Sequence, residues 1–251
     1  MKIRLAVAAL GACALFTPTA AGATAEPLSE LTHNPLYKAG KVTASCAKGL
    51  TKGTTRASTT KYLKGLVGCM NTAWAPRFKA AGLPFREVNA DLGDRNSCGE
   101  SREVKSTESS AMACGDSVQI LLKSDWIKAA DDRAILPAVT YAYSKHLGGM
   151  AGIEEAAFAL PNDVMEDNEQ NHRRFLQWDC FGGVFMKVVW TTQKRPASEW
   201  KALVNGVKKS EMSKLGWYGK PASRAYWLNA GFATANSASC NTWKAPKSKV
   251  T

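Results

Sequence analysis

Cysteine usage constrains this chain more than any other feature. Seven cysteines occur in 251 residues, and the first, Cys13, falls in an N-terminal segment with the form of an export signal. Lys2 and Arg4 supply its positive start and Leu5 to Phe16 its apolar stretch, and Ala23-Thr24-Ala25 offers a small-residue cleavage site before Glu26. Removing residues 1–25 leaves Cys46, Cys69, Cys98, Cys114, Cys180 and Cys240. An even count in an oxidising compartment reads as three disulfides, with fifteen connectivities open. The expected localisation is secreted and extracellular. A competing reading takes Leu10-Gly11-Ala12-Cys13 as a lipoprotein box that lipidates Cys13. The apolar run continues past it through Ala14-Leu15-Phe16, which favours simple cleavage.

The formal net charge is +12, and loss of Lys2 and Arg4 with the signal leaves +10. Such a balance favours anionic surfaces, cell-wall polymers among them, and says nothing about fold. Nucleic acid is not an expected partner. Lys208-Lys209 with Lys214, and Lys244, Lys247 and Lys249, lack interleaved aromatics and read as solvated surface. No C-x-x-C pair suggests a cysteine-held zinc knuckle or a redox site. The N-terminal apolar run is too short to span a bilayer, so no transmembrane segment is expected.

Residues 26–58 are polar and read as a loosely ordered lead-in. Tyr62, Leu66, Cys69, Met70 and Ala73 recur at helical spacing over Thr59 to Ala75, with Pro76 as an end or kink. Pro84 to Val88 and Ser117 to Lys123 are β-prone, and a long polar connection, Asp91 to Gly115, separates them. Helices are expected from Ile135 to Leu147 with Gly148-Gly149 as a stop, from Asp167 to Val189, after Pro196, and from Pro221 to Phe232. Neither repeat nor linker divides the chain. A single α+β domain over 59–251, mainly helical in its second half with a small sheet, is the expected fold, monomeric and stapled by disulfides.

Several segments resemble the neutral zinc metallopeptidase family, specifically its secreted actinobacterial members. Leu176-Gln177-Trp178-Asp179-Cys180-Phe181-Gly182-Gly183-Val184 is similar to the family's E-L-Q-A-D-C-F-A-G-V segment. Cys69-Met70-Asn71-Thr72-Ala73-Trp74-Ala75-Pro76, Gly82-Leu83-Pro84-Phe85, Cys98-Gly99 with Cys114, and Ser239-Cys240-Asn241-Thr242-Trp243 resemble further family segments in the same order. The resemblance spans most of 46–245 and implies a bacterial origin and a zincin-like domain, whose zinc sits on an H-E-x-x-H helix and a downstream glutamate.

The chain departs from the family where the chemistry belongs. Aligned on Gly152-Ile153, the first metal histidine becomes Tyr141, the catalytic glutamate Ala142, the second histidine Lys145 and the ligand glutamate Phe175. His146 matches a histidine that does not bind metal. Zinc needs convergent donors at about 2.0–2.2 Å and a carboxylate to take a proton from its bound water. Alanine cannot serve as that base, and an ammonium repels the cation. The resemblance therefore implies a pseudoenzyme with no cofactor and no expected catalytic residue. Its cleft, lined by Tyr141, Lys145, His146, Phe175, Trp178 and Asp179, would bind a peptide, a protein or a cell-wall ligand.

Two other functions stay open. One is an active extracellular metallohydrolase with a rearranged zinc site drawn from His146, His172 and Asp179, the last two being seven residues apart on one helix. The other is a cationic envelope-binding protein whose charge alone matters. His33 reads as a surface residue, and Glu154-Glu155 as a charged helix start rather than a catalytic pair. The expected disulfides are Cys46–Cys69, Cys98–Cys114 and Cys180–Cys240. Lys145 is expected to pair with Asp179, in place of the lost metal charge.

Overall fold

A computed structural model describes residues 27–93, 98, 107–161, 167–210 and 215–251. The signal segment and Cys13 lie outside these residues. All three expected disulfides are present, Cys46–Cys69, Cys98–Cys114 and Cys180–Cys240. The fold is mixed α+β with a small three-stranded sheet.

The stretch read as a loose lead-in is instead part of the core. It holds a short helix α1 (Pro27–His33) and two 3-10 turns, Pro35–Lys38 and Ser45–Gly49. Leu31, Leu36, Tyr37, Val42 and Ala47 are buried. Gln177 Nε2 donates to Tyr37 Oη at 2.6 Å, Ser237 Oγ donates to Leu36 O at 2.6 Å, and Asn34 Nδ2 donates to Ala151 O at 2.8 Å. These anchors come from distant parts of the chain, so local polarity misrepresents the segment.

Helix α2 (Arg56–Ala80) starts at a capping box between Thr55 and Ser58 and runs through Pro76 to its last turn. Pro84–Val88, expected as a strand, is irregular, and the strand follows it at Asn89–Gly93. Asn71 explains the shift: its side chain accepts from Val88 N at 3.1 Å and donates to Val88 O at 3.0 Å, taking the place of a strand partner. The sheet comprises β1 (Asn89–Gly93), β2 (Ser110–Cys114) and β3 (Ser117–Leu121), in the order β1-β3-β2. β3 pairs parallel to β1 and antiparallel to β2. After the short α3 (Ser124–Lys128), α4 (Ile135–Met150) packs against β2 and β3. It passes through Gly148-Gly149 for one more turn, and Gly152, at φ 74°, supplies the left-handed stop.

Helix α5 (Ile153–Phe158) leads to α6 (Asp167–Gln193), the axis of the fold. Residues 176–186 are all buried, which places this stretch inside the core rather than on its edge. α7 (Ala197–Lys209) and α8 (Pro221–Thr234) complete the helical layer, and a 3-10 turn, Gly216–Tyr218, crosses α6 between them. Gly183 of α6 and Gly231 of α8 bring the two backbones into contact.

Candidate functional site

Tyr141 and Lys145 are one turn apart on α4, and Phe175, Trp178 and Asp179 lie on adjacent turns just before the middle of α6. Trp178 is the hub. Its ring lies 5.5 Å from Tyr141 and 5.0 Å from Phe175, both edge-on, and the Lys145 ammonium is 5.9 Å away. Tyr218 closes the other side, its ring 4.8 Å from Phe175. The rings thus fill the expected cleft, leaving Lys145 exposed and Phe175 and Tyr218 half-buried at its rim.

Lys145 does not pair with Asp179. Arg224 on α8 takes that carboxylate in a two-pronged grip, Nε to Oδ2 at 2.8 Å and Nη2 to Oδ1 at 2.9 Å, with both side chains buried. An arginine fork matches a carboxylate where a lysine offers a point charge, and Arg224 reaches it from a helix packed directly on α6. Burial pushes the Asp179 carboxyl up, and the Arg224 guanidinium draws it back. Because Lys145 projects into solvent, Lys145→Ala is expected to change stability by at most about 0.5 kcal/mol in urea denaturation.

Glu154, read as part of a solvated helix start, is buried. It accepts from Trp178 Nε1 at 2.8 Å and from Arg174 Nη2 at 2.7 Å. Gly148 makes room for it, since a Cβ there would lie 2.9 Å from Glu154 Oε1. Glu154 therefore orients the hub tryptophan. Among the buried ion pairs of the described residues, only Glu169 with Arg173, one helical turn apart, carried a local sequence signal; the arginine partners of Glu154 and Asp179 are 20 and 45 residues away.

The histidines are held separately. His146 Nε2 donates to Ser117 O at 2.8 Å, facing β3, while His172 Nε2 donates to Gly216 O at 2.7 Å and fastens the 3-10 turn. His146, His172 and Asp179 are not brought together, and the described residues contain no group of three or more metal-ligating side chains. Burial pushes the His146 pKa down, with the Ser117 carbonyl opposing. The unfolded chain therefore takes up the proton first, and stability is lost as pH falls below about 6.5. His146→Gln is expected to flatten that part of the pH profile in urea denaturations.

The four residues that the resemblance aligns with a zinc site do not fit a zinc ion. Phe175 and Ala142 offer no donor, and Lys145 brings a positive charge. The Tyr141 hydroxyl is buried without a hydrogen-bond partner, and burial, with the Asp179 charge second, holds its pKa well above the ordinary tyrosine value. A neutral phenol is a poor metal ligand.

Two surface clefts lie elsewhere. One of about 620 Å³ is lined by Lys52, Asp131, Asp132 and Arg195, among others. Within it Arg195 grips Asp132 at 2.6 and 2.8 Å, and Lys52 donates to Gly53 O, Ile127 O and Ala129 O. The other, of about 440 Å³, adjoins His33 and Asn34. Neither gathers a chemical constellation comparable to the aromatic cluster. Comparisons with protein-family models, curated proteins and solved structures give no match to this chain.

Proposed function

We propose that this is a non-catalytic binding protein on a neutral-zinc-metallopeptidase-like frame, exported from the cell and acting by contact through the aromatic face of α4 and α6. The observation that carries the reading is the meeting of Tyr141, Lys145 and Phe175 around Trp178. Tyr141 and Lys145 sit one turn apart on α4 and Phe175 on a separate helix, α6, yet they share one small region, as positions inherited from one metal site would. Apolar rings and an arginine–carboxylate pair now occupy that region, which gives it contact area and no reactive group. Phe175, Tyr218 and Lys145 at its rim offer two ring edges and a cation to a ligand. Metal content tests the reading. Mature protein dialysed against trace zinc is expected to retain no stoichiometric metal and to cleave no casein. One tightly held equivalent, with proteolysis lost on chelation, would refute it in favour of the metallohydrolase.

A further inference from the structure

The most exposed large apolar side chains among the described residues are Phe158 (73%), Trp217 (68%) and Leu215 (50%). They come from separate segments, the end of α5 and the crossing between α7 and α8, yet they border the same rim. The Arg174 guanidinium lies 4.1 Å over the Phe158 ring and 5.6 Å from Phe175, whose ring meets Tyr218 beside Trp217. Tyr218 packs inward and His172 fastens Gly216, so Leu215 and Trp217 project from a held turn. Protruding apolar groups gathered at one place mark a contact surface.

We infer that this rim seats the protein on an anionic lipid surface. The inference rests on the reading above in that the protein acts by contact. Two features select a bilayer. Leucine has no flat face for a sugar ring, whereas leucine, tryptophan and phenylalanine together are the side chains that enter the boundary between headgroups and acyl chains. Exposed cations flank the rim, Lys145 beside Trp178 and Lys220 two residues after the turn, on a chain whose formal net charge is +12 with the signal and +10 without Lys2 and Arg4. Arg174 adds no free charge, because Glu154 neutralises it. No helix among the described residues is long and apolar enough to cross a membrane, and the proposed contact is at the surface of the bilayer. Exposed Glu155, one turn before Phe158, opposes the attraction.

Cosedimentation with vesicles tests this. The full mature protein is expected to pellet with equimolar phosphatidylcholine and phosphatidylglycerol, and about 10-fold less with phosphatidylcholine alone, since lysines near an anionic surface are attracted to it. Joint replacement Leu215→Ser and Trp217→Ser is expected to lower partitioning at least about 10-fold, from the apolar area no longer buried. The thermal midpoint should stay unchanged, as both side chains are exposed. Glu155→Lys is expected to raise partitioning. Failure of the natural protein to pellet with anionic vesicles, or equal pelleting of the serine variant, would overturn the inference. Capture by isolated cell-wall glycan without vesicle binding would overturn it too, while leaving the metal-free reading intact.

Discussion

Gly231→Ala is expected to lower stability by about 3 kcal/mol or more, and Gly183→Ala by a similar amount. A Cβ on residue 231 would lie 2.0 Å from the Cys180 carbonyl oxygen, and one on residue 183 would lie 2.2 Å from the Leu228 carbonyl oxygen. Both obstacles are helix backbone, which cannot rotate aside as a flexible side chain can. α6 is further fixed by the Cys180–Cys240 disulfide, so the helices can separate only by disturbing the core around Phe181 and Val184. Gly206→Ala in α7 is the control. Nothing lies within 4 Å of its added methyl, and the change is expected to stabilise by about 0.5–1 kcal/mol. Urea denaturation separates the cases. Equal behaviour of Gly231→Ala and Gly206→Ala would mean that α6 and α8 do not touch through these glycines.

Arg224→Leu is the second large expected loss, about 3–5 kcal/mol at neutral pH, because it leaves the buried Asp179 carboxylate without its counter-charge. Burial would then push the Asp179 pKa up unopposed. An acid whose folded pKa exceeds its unfolded value favours the fold when protonated, so the deficit should shrink as pH falls. Changing Asp179 and Arg224 together to leucine should recover much of the loss, because no buried charge is left alone. A cost near that of Lys145→Ala would contradict the pairing. Function and stability meet at this ion pair: it takes up the acid beside the aromatic cluster, and so leaves Lys145 free at the surface.

How far the sequence disclosed this arrangement depended on the range of each interaction. Helices with an internal period and a local stop were legible, so α6 and α8 begin where Asp167 and Pro221 signal them. β2, with the sequence Ser-Ala-Met-Ala-Cys, was not. Its small residues have little strand preference, and its position depends on pairing with β3 and on the disulfide at its end. The packing of residues 27–49 was hidden for a related reason, because Gln177, Ser237 and Ala151 supply the anchors. At the candidate site, the meeting of Tyr141, Lys145 and Phe175 followed from an alignment of motifs. The partner of Asp179 did not, since any of many arginines could have filled that role and nothing near position 179 singles out Arg224. Tyr218 was likewise concealed in a short turn with no periodic pattern.

In the proposed reading, the aromatic cluster occupies the place of a former zinc site. Zinc uptake by the fourfold variant Tyr141→His, Ala142→Glu, Lys145→His and Phe175→Glu tests it most directly. The variant introduces two histidines one turn apart on α4, a candidate base between them, and a carboxylate on the facing α6. With far-UV circular dichroism and all three disulfides as controls for folding, it is expected to bind about one equivalent of zinc that the natural protein does not. A correctly folded variant that remained metal-free would contradict the claim.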